Sequence, residues 1–219
     1  MGTVVITDGK YRSSIAAARM LGRSGYRVIV TQTRGDLALE PPVFASRYAT
    51  WKRWLEGSVS DPDYPDRLYG LLERYDHPVL FCTGAATLNS VSRQRERFSQ
   101  VCDFLIAPPG TLDALNDKEE VHRRCERLGI PVPARYIGEP AEYPVVIKPH
   151  CGEKFGLKAK DRYAVARNAD EYAAKLALMS QYDPHPIVQQ KVEGEGAGAS
   201  LLLDRDSRLI AAICHRRVR

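Results

Sequence analysis

The chain has 219 residues, of which 44% are hydrophobic and 27% are charged. This composition allows one large core or two smaller ones, and it argues against a disordered chain. The formal charge of +5 includes three arginines within the last four residues, so the rest of the chain lacks the basic surface of a nucleic-acid-binding protein.

The cysteines and the apolar runs indicate where the protein works. The five cysteines are odd in number, widely spaced and without a CxxC motif, which argues against a disulfide framework and against a zinc site. No apolar run reaches the roughly 18 residues that a membrane helix needs, and Met1 leads directly into a strand rather than a signal peptide. We therefore predict a reduced, soluble, cytoplasmic protein without a membrane partner.

The first half of the chain alternates strands and helices. Runs of β-branched residues predict strands at 3–7 and 26–32, and an alanine-rich segment predicts a helix at 13–21 between them. A strand, helix and strand of these lengths form a βαβ unit with parallel strands. An open parallel α/β domain is therefore predicted for residues 1–108. Its other predicted elements are a short strand at 47–50, a helix at 64–75, a strand at 78–82 and a helix at 85–98.

Asp8 and Gly9 follow the first predicted strand, at the edge where open α/β sheets bind their ligands. A dinucleotide-binding turn requires glycines in the spacing GxGxxG, and Gly9 is the only glycine of residues 7–12. We therefore predict a tight turn at Gly9 and no dinucleotide-binding fingerprint.

The second half of the chain predicts an α+β layer. Asp117 is expected to cap a helix at 118–128, with Glu120 in the capping-box position, and Gly129 is expected to end it. The other predicted elements are a strand at 143–148, an antiparallel strand within 159–167, a helix at 168–180, strands at 187–192, 200–204 and 209–215, and a hairpin turn at 204–207.

Lys148 ends the apolar strand of this layer, and its surroundings favour a phosphate site. Pro149 sets the direction in which the chain leaves the strand, and a loop containing Gly152 and Gly156 follows. Such an arrangement places a point charge and backbone N–H groups near polyphosphate oxygens. The alternative is a lysine that extends from the end of a strand into solvent.

The strand at 187–192 carries features of an adenine site. Its alternation predicts that Val188 and Gln190 are buried on one face. An exposed strand edge can read adenine through backbone groups, and Gln189 could add a carboxamide acceptor. The alternative is a solvated edge strand with polar side chains. Glu193 and Glu195 either bind ribose hydroxyls or belong to a glycine-rich hinge.

Other reactive side chains carry little signal. His122, His150, His185 and His215 share no metal-ligand spacing, and each is predicted to be a surface or turn residue. No base is placed beside Cys151 by the sequence, which argues against a nucleophilic role for its thiol.

Taken in order, these segments resemble the ATP-grasp superfamily, especially its carbamoyl-phosphate-synthetase-like carboxylate–amine ligases. The segments that carry the resemblance are NDK at 116–118, GIPVP at 129–133, VVIKP at 145–149, the glycine loop at 151–156 and VQQKVE at 188–193. The resemblance implies that Lys118 and Lys148 hold the phosphates of ATP and that Gly152 and Gly156 belong to a flap over them. It implies an adenosine site formed by Gln189, Gln190, Lys191, Val192 and Glu195.

The resemblance also implies a division of the chain. Residues 1–108 are similar to the α/β domain that precedes the ATP-grasp fold, 109–186 to the lysine and flap subdomain, and 187–219 to the start of the final subdomain. The magnesium ligands of the family lie downstream of the adenine strand, so they are expected beyond residue 219. Because Mg²⁺ aligns the transferred phosphoryl group, we expect this chain to bind ATP as a C-terminally truncated ligase that is inactive alone. Strand edges left unpaired by such truncation could also support a homodimer.

The reaction that the resemblance implies is ATP-dependent ligation. The parent enzyme would phosphorylate a carboxylate and let an amine or another nucleophile attack the acylphosphate, with both substrates unidentified. Two alternatives stay open: a non-catalytic nucleotide-sensing module, and a structural or regulatory interaction domain in which the lysines are surface charges.

Overall fold

The structure is a computed structural model that describes residues 2–37, 39–151, 157, 161–204 and 206–218. Two compact units divide the chain, Met1–Leu115 and Asn116–Arg219. The predicted mixture of a parallel sheet with antiparallel strands is confirmed.

The first unit is built on a four-stranded sheet in the order β3-β2-β1-β4, and all its strand pairs are parallel. The β-branched residues of the inner strands are buried on both faces, which is typical of parallel sheets covered on both sides. The four strands are β1 (Thr3–Ile6), β2 (Arg27–Thr33), β3 (Trp51–Leu55) and β4 (Val79–Phe81).

Two apolar clusters cover the two faces of this sheet. Because successive strand residues point to opposite faces, Val5 belongs to one cluster and its neighbours Val4 and Ile6 belong to the other. The helices of the unit are α1 (Arg12–Arg23), α2 (Tyr64–Leu72), α3 (Ala85–Arg93), α4 (Arg95–Phe98) and α5 (Pro109–Asn116), with 3₁₀ turns at Arg34–Asp36 and Pro42–Ala45.

Two predictions for this unit are wrong in position. The strand predicted at 47–50 lies at Trp51–Leu55 instead, where it pairs with β2 at the edge of the sheet. The charged sequence of β3 lacks the apolar alternation that marks a half-buried strand, so the sequence pattern does not locate it. The helix predicted at 85–98 is two helices, since Gln94 leaves the helical conformation with φ −114° and ψ 28°.

The second unit contains a four-stranded antiparallel sheet in the order β5-β8-β6-β7. Val145, Ile147 and Val188 of the sheet form an apolar core with Tyr172 and Met179. The elements are α6 (Lys118–Arg127), β5 (Arg135–Tyr136), β6 (Val145–Lys148), β7 (Ala164–Ala166), α7 (Ala169–Ser180), β8 (Ile187–Gln190), β9 (Ala197–Leu203) and β10 (Leu209–Arg216).

Strands β9 and β10 pair only with each other among the described strands, as an antiparallel hairpin. The predicted hairpin turn is confirmed, because the Asp204 N–H donates to the Arg208 carbonyl and the Ser207 N–H donates to the Asp204 carbonyl. Leu201 and Ile213 are about 60% or more exposed, so this hairpin carries apolar side chains that the described chain does not cover.

Candidate functional site

Lys148 ends β6 beside other basic groups. The strand buries Val145 and Ile147, whereas the Lys148 side chain is only partly buried. Burial lowers the pKa of Lys148, and the charges of Lys118 and Arg135 lower it further. Three cations therefore repel one another around the end of β6, and such a cluster favours a bound anion.

Lys118 reaches this place from the first turn of α6. The predicted helix cap is confirmed, because the Asp117 carboxylate accepts the N–H groups of Glu119 and Glu120 at 2.8 and 3.1 Å. The Lys118 ammonium donates to the carbonyl oxygens of Pro149 and His150 at 3.1 and 3.0 Å. Two of its three N–H donors are thus used to hold the chain that leaves β6, and one is left for a ligand.

The second half of the expected capping box is absent from the described contacts. The Glu120 carboxylate accepts from the Arg124 guanidinium at 2.7 Å and pairs with Arg123 at 3.0 Å. These arginines, one turn further along the same helix, compete for the carboxylate that would otherwise turn back toward the Asp117 N–H.

His150 lies in the bend after β6 and is partly buried between two carboxylates, an arrangement that the sequence does not predict. Its Nε2 is 2.6 Å from a Glu119 oxygen and its Nδ1 is 3.0 Å from Asp183 Oδ2. The backbone N–H of His150 donates to the same Asp183 oxygen at 2.8 Å. The sequence could not show this network because α6, the loop after β6 and the loop after α7 supply its members.

The charges of this network support one another. Burial works against a charged His150, but its hydrogen bonds to Glu119 and Asp183 raise its pKa overall. The same bonds, together with Arg135 at 2.9 Å from Glu119, lower the pKa of that carboxyl group. Burial opposes ionisation of Asp183, yet hydrogen bonds from the His150 and His185 backbones lower its pKa.

The predicted adenine strand, β8, lies inside the sheet between β5 and β6. The Gln190 N–H donates to the Ala134 carbonyl at 2.8 Å, and the Lys191 N–H donates to the Pro144 carbonyl at 3.3 Å. The expected exposed strand edge is therefore wrong for Gln189 and Gln190, because the two-residue strand β5, absent from the sequence predictions, covers it.

Burial along β8 also differs from the expectation. Ile187 and Val188 are buried, Gln189 is partly buried and Gln190 is exposed, so the prediction that Gln190 is buried with Val188 is wrong. The apolar core ends before Gln190, which leaves the side chain at the end of the strand in solvent. Gln189 has Arg135 and Val146 as its strand partners, so the structure brings it near the basic cluster.

The remaining predicted adenosine residues follow β8. Lys191 pairs with Glu193, and Val192 is 64% exposed. The Glu195 carboxylate accepts from Arg216 of β10 at 3.0 Å, and both side chains are exposed. No contact among the described residues joins Glu195 to Lys118 or Lys148. The predicted flap residues Gly152 and Gly156 lie outside the described residues.

The carboxyl edge of the first sheet contains a different polar cluster. Asp8 has a left-handed backbone with φ 56°, and its carboxylate accepts from the Gly84 N–H at 3.1 Å and the Thr87 hydroxyl at 3.0 Å. A side chain at Gly84 would place Cβ 2.6 Å from the Asp8 carboxyl carbon. The anion position at the start of α3 is therefore filled by the protein itself.

Membrane-spanning helices and metal clusters are both absent from the described residues. No helix there combines the length and the apolar character that crossing a bilayer requires. No group of three or more His, Cys, Asp and Glu side chains in that part of the chain could hold a metal ion.

No protein-family model and no curated protein matches this chain, but solved structures do. The biotin carboxylase–β,γ-ATP complex of Campylobacter jejuni matches with a TM-score of 0.65 and 15% identity, over 95% of this chain and 49% of that chain. The biotin carboxylase domain dimer of the Hydrogenobacter thermophilus 2-oxoglutarate carboxylase, solved with MgADP, ADP and bicarbonate, matches with a TM-score of 0.65 and 12% identity, over 95% and 48%.

A third match is D-alanine–D-alanine ligase from Bacillus anthracis, with a TM-score of 0.54 and 12% identity, over 100% of this chain and 71% of that chain. The chain spans about half the length of the two biotin carboxylase chains. Biotin carboxylase and D-alanine–D-alanine ligase are both ATP-grasp enzymes. The resemblance that the sequence motifs predict is thus confirmed at the level of the fold: this chain has the fold of ATP-grasp enzymes.

Proposed function

We propose that this chain is the ATP-binding part of an ATP-dependent ligase of the carbamoyl-phosphate-synthetase-like, carboxylate–amine type. The observation that carries the proposal is the convergence of Lys118, Lys148 and Arg135 around the end of β6. Burial lowers the pKa of Lys148, and the charges of Lys118 and Arg135 lower it further. A polyphosphate placed there would relieve the repulsion among the three cations and would accept hydrogen bonds from them.

The proposal assigns the phosphates to Lys118 and Lys148. It assigns adenosine to the last two residues of β8 and to the segment after it, namely Gln189, Gln190, Lys191, Val192 and Glu195. It assigns the loop that covers the phosphates to Gly152 and Gly156. The partial burial of Gln189 beside Arg135 supports an adenine position next to the phosphate position. The exposed Glu195, paired with Arg216, has the weakest support in this set.

The reaction proposed for the whole enzyme begins with attack of a carboxylate oxygen on the γ-phosphorus of ATP. ADP leaves and an acylphosphate forms; an amine or another nucleophile then attacks the acyl carbon, and phosphate leaves. Mg²⁺ would neutralise phosphate charge in the first step. The neighbours solved with β,γ-ATP and with MgADP support these ligands, and none of the residues assigned here is a magnesium ligand.

The domain limits and the remaining partners belong to the same proposal. We assign 1–108, 109–186 and 187–219 to a preceding α/β domain, a lysine and flap subdomain and the start of a final subdomain. The five cysteines are free thiols, which supports a reducing, cytoplasmic location. A homodimer is supported by the exposed apolar side chains of β9 and β10 and by the dimer of one neighbour.

Calorimetric titration with a nonhydrolysable ATP analogue and Mg²⁺ tests the nucleotide site. The variant Lys148→Ala should weaken binding by about 1–3 kcal/mol, the scale of a hydrogen bond to a charged group. The matched control is Lys52→Ala, which removes an exposed lysine of the first unit that lies 4.0 Å from Glu40 of the same unit. Equal affinity in all three proteins would contradict the proposed role of Lys148 and would favour a structural interaction domain.

A further inference from the structure

His150 is held by two separate parts of the second unit, α6 and the loop between α7 and β8. Glu119, from the first turn of α6, contacts one ring nitrogen at 2.6 Å. Asp183, from the loop between α7 and β8, contacts the other ring nitrogen at 3.0 Å and the backbone N–H at 2.8 Å. The Asp183 side chain is only 8% exposed. All three nitrogens of this residue therefore have carboxylate partners.

The same residue also holds Lys118. The His150 carbonyl accepts from the Lys118 ammonium at 3.0 Å and from the Lys118 N–H at 3.3 Å. Lys118 and Glu119 are consecutive, so the start of α6 forms hydrogen bonds with both the carbonyl and the ring of His150. The Asp183 carboxylate contacts the other ring nitrogen of His150 and its backbone N–H. The backbone that directly follows Lys148 is thus fixed by partners on both sides.

The ring contacts require a protonated imidazole. A neutral imidazole has one N–H donor, and an ionised carboxylate only accepts. Because Nδ1 and Nε2 each face a carboxylate oxygen, both contacts are hydrogen bonds only when His150 carries two N–H groups. The raised pKa of His150 agrees with this reading of the geometry. Loss of the proton would break either the link to Glu119 or the link to Asp183.

We propose that protonated His150 is a positioning residue, which joins α6 to the loop before β8 and thereby sets Lys118 and Lys148 at the spacing that binds a polyphosphate. This inference rests on the proposed nucleotide site. His150 itself need not contact the nucleotide, since its ring faces two carboxylates.

The charged groups around His150 decide the direction of the pH effect. Glu119 and Asp183 face the ring, Arg135 pairs with Glu119, and the ammonium of Lys118 contacts the His150 carbonyl. Since the pKa of His150 is raised, the bridged state is complete below the ordinary value near 6.5 and is lost as pH rises through the raised pKa. Nucleotide affinity should therefore fall over that alkaline interval.

The test compares wild type with His150→Gln, titrated with the nonhydrolysable ATP analogue and Mg²⁺ from pH 6 to 9. Glutamine offers no ionisable group, so the variant should bind about tenfold more weakly at low pH, the scale of one lost charged hydrogen bond. The affinity ratio of the two proteins should approach one at high pH. Taking the ratio at each pH cancels titration of the nucleotide itself. His185→Gln is the matched control, because its side chain is exposed while its backbone binds the same Asp183.

Two further readouts separate the possible failures. The NMR titration of the His150 ring should give a pKa above the ordinary histidine value near 6.5, and thermal unfolding should show that His150→Gln is folded. Binding of wild type with an affinity ratio that stays constant across pH would overturn the positioning role and leave the nucleotide site standing. No binding of wild type at any pH, with normal folding, would instead overturn the proposed function on which this inference rests.

Discussion

The exit of β1 and the exit of β6 both gather polar side chains at the end of a buried strand, but they balance charge differently. At β1 the Asp8 carboxylate fills the start of α3 and satisfies Gly84 and Thr87. At β6, Lys148 has two further cations nearby and no carboxylate of its own among the described contacts. The first place supplies its own counter-charge, whereas at the second we propose that a bound nucleotide supplies it.

The largest expected effect would come from opening the cluster at β1. Asp8→Ala removes the acceptor of Thr87 and of the Gly84 N–H, and we expect the free energy of unfolding of the first unit to fall by about 2–4 kcal/mol. Both tryptophans of the chain, Trp51 and Trp54, lie in this unit, so denaturation followed by tryptophan fluorescence reports on it. Unchanged stability would show that the Asp8 cluster is not structural.

Replacing Lys148 at the end of β6 by a neutral residue should weaken nucleotide binding without lowering the stability of the free protein. Lys148→Met keeps the length of the side chain and removes a partly buried charge beside Lys118. We expect the variant to bind the ATP analogue more weakly by about 1–3 kcal/mol. Without the ATP analogue, we expect its midpoint of thermal unfolding to equal or exceed that of wild type. Both are measured by calorimetry. A lower unfolding midpoint would indicate that Lys148 stabilises the free protein, which contradicts a side chain whose charge is balanced only by a bound ligand.

A smaller effect should come from the cap that presents Lys118. Asp117→Ala removes the acceptor for Glu119 and Glu120 and should cost about 1 kcal/mol of helix stability. Hydrogen exchange of the α6 amides, measured by mass spectrometry, would detect this change. Asp117→Asn is the control, because asparagine also caps helices well; protection lost equally in both variants would contradict the capping role.

The smallest effect is the pH dependence of the second unit. With a raised pKa, His150 contributes stability below its ordinary value that is lost as pH rises through the raised value. Glu119 and Asp183, with lowered pKa values, contribute stability that is lost as pH falls through those values. The protection factors of the β6 amides, which correct for the intrinsic pH dependence of exchange, should therefore be largest between the two ranges. The alkaline loss should vanish in His150→Gln, and its persistence there would assign it to another group.

The sequence predicts best where one local interaction decides the structure. A run of apolar, β-branched residues is enough to predict β1, β2 and β6, because most side chains of these strands are buried in a core. Asp117 caps α6 as expected and Asn168 caps α7 in the same way, since the side-chain oxygen of each accepts from a backbone N–H three residues on. In both helix caps the two bonded groups lie within one helical turn of each other in the chain.

Prediction fails where distant elements meet. The strand β5 has only two residues and exists because β8 pairs with it, so no local pattern marks it. His150 was predicted only as a surface or turn residue, because its partners, Glu119 and Asp183, are each more than thirty residues away in the chain. The lysines could be named in advance from motifs, whereas the network that holds them depends on tertiary structure.

The most direct test of the central claim is a map of amide chemical shifts in the ¹⁵N-labelled chain as the nonhydrolysable ATP analogue and Mg²⁺ are added. The account predicts that the largest changes occur at Lys118, Lys148 and His150, with little change at Asp8 and Gly84. Changes concentrated at Asp8 and Gly84, with Lys118 and Lys148 unaffected, would contradict it and place the ligand at the parallel sheet.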